Sequence, residues 1–547
     1  MKKSVFIWIV ICLLLIVAGC NQKTSSYDEV LWFSDISFWT PPEWSEKEGT
    51  ITHKISEATG LKFRYDIPQK NAATKLSICL VNDELPDVIT VTDQQTISKL
   101  VDSGKVWNLE EFLKKYLPES HLLKKFPQDI KEQLMIRDGG WYALPSHMKS
   151  PDNRKIYPSC STYWDLVMDY GNPNAILWNE KLLKQAGFSM EDVTTQKKVL
   201  HVLNSVSKQK MKVNGKNVIP CLVDGEGSFD SIYASSLQTL LNSFGAEYVD
   251  ENGNYYERLL QPQAKSALQF ANTLFRRGYA SSEQLKWENE QIKELIHEDR
   301  VLCFIGNMAN IGFDALGDKT REWVSVGPIL SDDGSLPILE KNTYSGNYWL
   351  STFISKDCQY PEKIAVWLDY MTSEEGMLQC NYGVAGQDYE LTEDGLVRLT
   401  EKGREGREHL EETGMGVWFA FINMNWEYYQ VEAPDRDTNV YYTEMLKCKF
   451  GMHQKTVRFD FDPISNMEDD CAGDMELTSW EEELEEFEKK QLLAVLLADS
   501  SHQFEQEYQR LADGMKERGI EKIMKRKNRY FKQNCKELGT EIRKINR

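Results

Sequence analysis

The 547-residue chain has few of the residues that metal and nucleotide chemistry require. Only eight histidines occur, and no HExxH motif or Cys/His cluster has the spacing of a zinc site. The glycine pairs at 225–227 and 414–416 lack the later Gly, Lys and Ser/Thr of phosphate-binding loops, and no GxSxG motif is present. We therefore expect no metal and no cofactor. A glycosidase needs only two carboxylates ~5 to 10 Å apart. With 84 acidic residues in the chain, glycosidase activity is not excluded.

Basic charge is also scarce. The chain has 64 Lys and Arg against 84 Asp and Glu, which gives a formal net charge of −20. A nucleic-acid-binding protein needs a concentrated basic face to displace counterions, so we expect no nucleic-acid partner. Hydrophobic residues make up 41% and charged residues 27% of the sequence, a globular composition. At ~150 residues per domain, the length predicts about two to four structural units.

Long apolar runs are absent except at the amino terminus. Two lysines precede an unbroken apolar run at 5–18, which is too short to span a bilayer comfortably and is typical of a secretion signal. The run ends in VAGC, which resembles the lipobox of bacterial lipoproteins. We predict that residues 1–19 are a signal peptide and that Cys20 carries lipid after cleavage. Two acyl chains there would give stable anchoring, with residues 20–27 as the tether.

The remaining cysteines do not suggest a disulfide framework. Their number is odd, no CxxC motif occurs, and several lie in apolar runs, where free cysteine acts as a small hydrophobic residue. We interpret them as mostly unpaired. They are Cys79, Cys160, Cys221, Cys303, Cys358, Cys380, Cys448, Cys471 and Cys535.

Short apolar runs that alternate with amphipathic helical patterns predict an α/β architecture. A helical pattern at 51–58 ends at Gly60 and is followed by a strand at 61–65, which gives a β-α-β unit. The β-branched run at 87–92 predicts a buried parallel strand that ends at Asp93. Because ligands bind at the carboxyl ends of such strands, Asp93 is a candidate site residue. The acidic run 481–488 and the basic run 522–532 predict solvated helix faces.

Aromatic residues are plentiful, with 15 Trp, 24 Tyr and 22 Phe. Sugar rings pack their C–H faces on aromatic rings, and sugar hydroxyls pair with carboxylates and amides. Trp and Tyr beside Asp, Glu and Asn at strand ends are therefore the composition of a carbohydrate-binding cleft. The alternative is that most of these rings belong to the hydrophobic core.

Several segments also stand in an order found in a known family. They are the Cys20 lipobox, LPDVI at 85–89, DGGWYALP at 138–145, LWNEKLL at 177–183 and YGVAG at 382–386. In this order they resemble the extracellular solute-binding proteins of family 1, the lipoprotein receptors of carbohydrate ABC importers, in their long Gram-positive form. The resemblance covers about residues 28–530. The chain departs from the family at Ala385, where relatives often carry an acidic residue, and at 150–165, which leaves the ligand open.

The resemblance implies an α/β, two-lobe periplasmic-binding-protein-like fold of type II, with hinge-crossing segments and an extended helical C-terminal part. On this chain, lobe one would hold 28–145 and 346–390. Lobe two would hold 146–345 and 391–547, including the C-terminal helices. The first crossing would follow residues 143–145 and the return would lie at 344–347, where Gly346 suits a hinge.

The resemblance further implies a ligand between the lobes. We expect tryptophans to stack on sugar rings and carboxylates or amides to bind hydroxyls, although Trp44 and Trp426 could instead pack against helices. The expected ligand-binding residues are Trp39, Glu43, Trp44, Asp93, Asn307, Asn347 and Trp426.

The resulting expectation is a non-enzymatic receptor, lipid-anchored on the extracellular face of the cell membrane. It would capture a carbohydrate, which we expect to be an oligosaccharide, and deliver it to ABC transporter permease subunits. Its contact with the membrane would be through the lipid anchor only. Two alternatives remain: a surface enzyme that acts on polysaccharide, and a solute-sensing adaptor for a receptor kinase.

Overall fold

The computed structural model of the chain describes residues 27–148, 150–157, 174–225, 235–287, 289–311, 323–341, 349–393, 395–423, 448–464 and 474–542. Its strands are β1 (Asp28–Ser34), β2 (Leu61–Asp66), β3 (Val88–Val91), β4 (Leu144–Pro145), β5 (Asn174–Asn179), β6 (Lys212–Val213), β7 (Lys216–Asn217), β8 (Leu222–Val223), β9 (Cys303–Asn307), β10 (Trp323–Val324), β11 (Ile338–Lys341), β12 (Ser351–Ile354), β13 (Tyr389–Leu391), β14 (Val397–Leu399) and β15 (Val457–Asp460).

The α-helices of the same residues are α1 (Ile51–Thr59), α2 (Ala72–Val81), α3 (Gln94–Asp102), α4 (Leu109–Tyr116), α5 (Leu122–Lys125), α6 (Gln128–Asp138), α7 (Pro151–Ile156), α8 (Glu180–Gln185), α9 (Gln196–Gln209), α10 (Ser235–Ser243), α11 (Pro262–Arg276), α12 (Asn289–His297), α13 (Pro361–Met371), α14 (Glu374–Tyr382), α15 (Glu401–Glu408), α16 (Leu410–Thr413), α17 (Met475–Leu496), α18 (Ser501–Glu517) and α19 (Ile520–Glu537). Single 3-10 turns lie at Met190–Val193, Arg258–Leu260, Ser282–Lys286, Met308–Ile311 and Phe419–Phe421.

The first large sheet has the strand order β2-β1-β3-β12-β4. β1 is parallel to β2 and β3, whereas β12 is antiparallel to β3 and β4. The predicted β-α-β unit is present. The Thr50 side chain accepts the His53 N–H to start α1, and Gly60, at φ 71°, ends α1 directly before β2. All four residues of β3 are buried, as its β-branched sequence predicts.

The second large sheet has the order β10-β5-β9-β8. β5 is antiparallel to β9 and β10, and β8 is parallel to β9. β5 leads directly into α8, because the side chain of Asn179 accepts the Leu182 N–H and caps the helix. The segment LWNEKLL at 177–183 therefore contains the end of β5 and the start of α8.

Two main hydrophobic cores divide the described residues into two lobes. The first core surrounds Trp32, Trp141 and Trp367, and the second surrounds Trp178, Phe270 and Phe304. We call residues 27–157 and 349–423 lobe one, and residues 174–341 and 448–542 lobe two. Along the described residues the chain changes lobe three times, between 157 and 174, between 341 and 349, and between 423 and 448. The predicted α/β architecture of two lobes is confirmed.

Two segments differ from the predicted lobe boundaries. Helix α7 was expected in lobe two, but it lies against α6 of lobe one, where the Asp129 carboxylate accepts from Ser150 Oγ (2.8 Å) and Asp152 N (2.9 Å). Residues 391–423, including the segment 415–421, were also expected in lobe two. The apolar side chains of 415–421 pack in the first core instead, with the Phe421 ring 5.1 Å from that of Trp367. Burial of this aromatic segment explains the difference.

The acidic and basic C-terminal helices are partners of each other. Arg526 of α19 donates to the Asp474 carboxylate that caps α17, and Lys527 pairs with Glu481 of α17. The predicted charge runs therefore have solvated faces on one side and ion pairs where the two helices meet. The two helices also add to the second core through Leu484, Leu492 and Phe531.

The amino-terminal apolar run and Cys20 lie outside the described residues, as do Cys160 and Cys471. The cysteines that the structure does describe, beginning with Cys79, are all free. Within the same residues, none of the helices combines the length and apolar character needed to cross a membrane.

Candidate functional site

The candidate site lies at one edge of the lobe-one sheet. Parallel strands β1, β3 and β4 end at this edge, and antiparallel β12 begins there. The residues that follow or precede these strands are Asp35, Phe38, Asp93, His147 and Trp349. Because residue 349 follows the second crossing and residue 147 precedes the first, this edge lies where lobe one joins its connections to lobe two.

Four rings form what we call the aromatic cluster: Phe38, His147, Trp349 and Phe419. The Phe38 and Trp349 rings are nearly parallel, with an interplanar angle of 8° and centroids 5.9 Å apart. Phe419 lies 5.7 Å from Trp349, and His147 meets Trp349 edge-on at 5.3 Å. Phe38 is 61% and Trp349 is 37% exposed. Large rings grouped in solvent are a feature of recognition surfaces, and their flat faces suit the C–H faces of sugars.

Ser146 fixes the orientation of His147. The Ser146 hydroxyl accepts the Leu350 N–H (3.2 Å) and lies 2.8 Å from His147 Nδ1. Because a hydroxyl oxygen has two lone pairs and one proton, Ser146 can either donate to Nδ1 or accept its proton, and it holds the imidazole ring in place in both tautomers. His147 has a φ of 56°, a left-handed conformation that is uncommon for histidine. The bend turns the chain away from β4 and toward the first crossing.

Asp35 follows β1 and is only partly satisfied. Its Oδ2 accepts Thr92 N (2.8 Å) and Thr92 Oγ1 (2.9 Å), and the Asp93 N–H also donates to this carboxylate. Its Oδ1 is buried and has no hydrogen-bond partner among the described residues. Burial raises the pKa of Asp35, and the negative charge of Asp93 adds to the effect. An unpaired buried acceptor at a surface edge is suited to a ligand hydroxyl.

Asp93, a residue predicted from the sequence, lies at this edge. It caps helix α3, because its Oδ2 accepts Thr96 N (2.7 Å) and Thr96 Oγ1 (2.6 Å). The side chain is exposed. Asp93 therefore combines a structural role for one carboxylate oxygen with a position beside Asp35.

The two tryptophans of the loop after β1, which were expected to bind the ligand, lie outside the aromatic cluster. Trp39 is 4% exposed, donates its indole N–H to Val417 O (2.7 Å) and packs 4.9 Å from Trp32. Trp44 donates to Ser56 Oγ (3.0 Å) and packs on Phe63. The Trp39 ring belongs to the first core and offers no stacking face, whereas the Trp44 ring is half-buried and packs against that core. Glu43 is exposed.

Asn307, the residue expected from lobe two, ends β9 beside a buried carboxylate. Its N–H donates to Asp224 Oδ2 (3.2 Å), which also accepts Asn310 Nδ2 (2.8 Å). Asp224 follows β8 and is completely buried. Gly306 permits this approach, since a Cβ there would lie 2.2 Å from Asp224 Cβ. Asp224 thus fixes the turn that carries Asn307, which is half-buried.

Asn347 and Trp426, the other expected ligand-binding residues, lie outside the described residues. The sequence analysis missed Phe38, His147, Trp349, Asp35 and Phe419. Asp35 had a usable signal, because it follows β1 as Asp93 follows β3. The residues that the structure describes contain no group of three or more His, Cys, Asp and Glu able to hold a metal ion.

Comparison with known proteins gives consistent results. The sequence model of the family described as bacterial extracellular solute-binding protein matches residues 48–378. Lipoprotein LipO of Bacillus subtilis (strain 168) is 21% identical over 463 residues, which cover 81% of this chain and 82% of LipO.

Solved structures share the fold along almost the whole chain. One is the S. pneumoniae ABC-transporter substrate binding protein FusA, as an EF-hand mutant with fructo-nystose: TM-score 0.69, 14% identity, 92% of this chain and 99% of FusA. An extracellular solute-binding protein from Bifidobacterium longum subsp. infantis has a TM-score of 0.67 and 14% identity, over 93% and 98% of the two chains. The alginate-binding protein AlgQ2 has a TM-score of 0.63 and 12% identity, over 94% and 99%.

Proposed function

This chain belongs to the bacterial extracellular solute-binding protein family, and from that premise we propose that it captures an oligosaccharide between its two lobes and delivers it to the permease of an ABC importer. The proposal includes lipid anchoring at Cys20 on the extracellular face of the membrane. The lipobox at the end of residues 1–19 and the name of the lipoprotein relative support the anchor. Sugar complexes among the structures that share the fold support the ligand class.

The observation that carries the proposal is the aromatic cluster at the edge of lobe one. Phe38 and Trp349 would stack on sugar rings, because both present exposed faces. Asp35 and Asp93 would accept hydrogen bonds from sugar hydroxyls, and Asn307 would contribute from lobe two. Asn347 and Trp426 stay proposed contributors on the strength of the sequence.

Ligand contacts to both lobes would favour a closed state. Three connections join the lobes, and rings of the aromatic cluster lie close to each of them, at 147, 349 and 419. A ligand stabilises a closed conformation only by the extra contacts that it makes there. A ligand that contacts the ring faces of lobe one and also Asn307 of lobe two would supply this difference without covalent chemistry.

Calorimetric titration of the purified protein with nystose, mannotetraose and cellotetraose tests the capture step. We expect at least one of these sugars to bind and to raise the melting temperature, since ligand at 100 times its Kd stabilises the native state by about 2.7 kcal/mol. Prolonged incubation of the bound sugar should release no reducing ends. Hydrolysis would instead support the alternative of a surface enzyme.

Cell fractionation tests the anchor separately. We expect the full-length protein to remain with the membrane and the Cys20→Ala variant, once residues 1–19 are cleaved, to appear in the medium, because the substitution removes the thiol that carries the proposed acyl chains. A Cys79→Ala variant is the matched control, since Cys79 is also a free cysteine. Retention on the membrane of a Cys20→Ala variant that has lost residues 1–19, as shown by its mass, would contradict the anchor but not sugar binding.

A further inference from the structure

The charged groups beside the aromatic cluster carry the same sign. Asp35 and Asp93 leave adjacent strands β1 and β3 at the same sheet edge, and the Asp93 backbone N–H donates to the Asp35 carboxylate. Within the described part of the chain, neither carboxylate forms an ion pair with a lysine or arginine. The ligand platform of lobe one therefore combines apolar ring faces with two carboxylates that no described lysine or arginine neutralises.

The hydrogen bonds of Asp35 indicate that it favours a ligand group that donates a proton. Its Oδ2 accepts from Thr92, whereas its Oδ1 is buried and receives no hydrogen bond from the residues that the structure describes. A buried acceptor is stabilised only by a group that donates a proton. A sugar hydroxyl is such a donor. The carboxylate of a uronic acid offers acceptors alone and adds a third negative charge.

We propose that this site takes neutral oligosaccharides and rejects uronate-containing ones, with Asp35 and Asp93 as the residues that set the discrimination. The inference rests on the proposed function, because it assumes a sugar at the aromatic cluster. The fold itself does not determine whether the bound sugar is neutral or charged, because it is shared both with FusA, in complex with fructo-nystose, and with alginate-binding AlgQ2. In this chain, the charges of Asp35 and Asp93 distinguish neutral from uronate-containing sugars.

The size of the effect follows from Coulomb's law. Near a protein surface the effective dielectric constant is about 20, and a like charge about 8 Å away then weakens binding roughly 30-fold. Two carboxylates at the same edge increase this penalty. Because the groups are partly exposed, added salt should reduce the discrimination.

Matched sugar pairs provide the test. Mannotetraose is compared with tetramannuronate, and galactotetraose with tetragalacturonate, since each pair differs at C6, where CH₂OH is replaced by a carboxylate. Nystose is a further neutral probe. We expect wild-type protein to bind at least one neutral probe and to bind each uronate at least about 30-fold more weakly than the best neutral probe.

The double variant Asp35→Asn/Asp93→Asn removes both charges and retains the geometry, because asparagine also caps helices and still offers an oxygen acceptor. We expect the ratio of neutral to uronate affinity to fall at least tenfold. The control Asp102→Asn/Glu111→Gln removes two exposed carboxylates outside the site and should leave the ratio unchanged.

The outcomes separate the two proposals. Tight uronate binding by the wild type, or an unchanged ratio in the Asp35→Asn/Asp93→Asn variant, overturns the charge discrimination and leaves sugar capture standing. An equal change in the control variant overturns it as well, because net charge rather than the site would then be responsible. Binding of none of these sugars overturns the proposed function and this inference with it.

Discussion

Asn153 and Asn423 exchange two side-chain hydrogen bonds inside the protein. Asn153 Nδ2 donates to Asn423 Oδ1 (2.8 Å), and Asn423 Nδ2 donates to Asn153 Oδ1 (3.2 Å). Both residues are buried, and Asn153 Nδ2 also reaches Met148 O (3.0 Å). Asn153 precedes the first crossing between the lobes and Asn423 precedes the third. The amide pair therefore fastens two of the three connections to each other on the lobe-one side.

We expect Asn153→Ala and Asn423→Ala each to lower the free energy of unfolding by about 1 to 3 kcal/mol, because each change removes two hydrogen bonds from the other buried amide. Urea denaturation measures the effect. The double variant should lose less than the sum of the single losses, since the broken bonds are shared. Strict additivity would show that the two amides do not act as a pair.

The sequence predicted one residue at the edge of the candidate site, Asp93, but none of the rings of the aromatic cluster. The pattern of β3 identified Asp93 correctly as an edge residue, because strand periodicity and parallel topology can be read from local sequence. Phe38 and Trp39 are neighbours of the same chemical type, and only the tertiary packing of Val417 and Trp32 decides which of the two is buried. Local sequence carries no information on that choice.

The same limit explains the misplaced boundary. Residues 415–421 join the first core through contacts with Trp32 and Trp367. Both tryptophans are distant in sequence, and Trp32 lies near the other end of the chain. Their apolar composition predicts burial but does not say in which lobe. The β-α-β unit, whose contacts are local, was predicted with its Gly60 end intact.

Adjacent Phe38 and Trp39 should respond differently to truncation. Phe38→Ala and Trp349→Ala are expected to weaken sugar binding about tenfold each with little loss of stability, because the rings are exposed and stack on each other. Trp39→Ala should cost about 3 to 5 kcal/mol of stability, since its ring fills the core. Calorimetric titration and urea denaturation give the two readouts.

A matched control for the exposed rings is Tyr256→Ala, which removes a 36% exposed ring of lobe two outside the aromatic cluster. Its affinity for sugar should equal that of the wild type. If Phe38→Ala and Trp349→Ala also bind like the wild type, the aromatic cluster is not the stacking surface.

Gly306 should be intolerant of any side chain. An added Cβ would lie 2.2 Å from Asp224 Cβ and 2.7 Å from Asp224 Oδ2, so the carboxylate that holds Asn307 and Asn310 would have to move. We expect Gly306→Ala to destabilise the protein by about 3 kcal/mol or more and to weaken sugar binding. Gly187→Ala is the comparison, because it adds a Cβ at positive φ with no atom within 4 Å. It should cost about 1 to 2 kcal/mol, from the backbone alone.

The C-terminal helices contain a group that should make stability depend on pH. Burial, followed by the negative charge of Glu257, raises the pKa of Glu488 to about 8, while Lys527 acts in the opposite direction. Glu481 and Glu485 of the same helix add further negative charge. The unfolded chain would titrate near the ordinary value of 4.5.

A raised carboxyl pKa favours the folded state only while the group is protonated. The contribution of Glu488 is therefore complete below about pH 4.5 and is lost as the pH rises through about 8. We expect Glu488→Gln to be about 1 to 3 kcal/mol more stable than the wild type at pH 8.5, with the difference shrinking toward pH 5. Glu483→Gln, an exposed change on the same helix, should follow the wild-type profile. Parallel urea-denaturation profiles for Glu488→Gln and wild type between pH 5 and pH 8.5 would show that Glu488 is ionised in the folded protein throughout, because only proton uptake by its carboxyl separates the two curves.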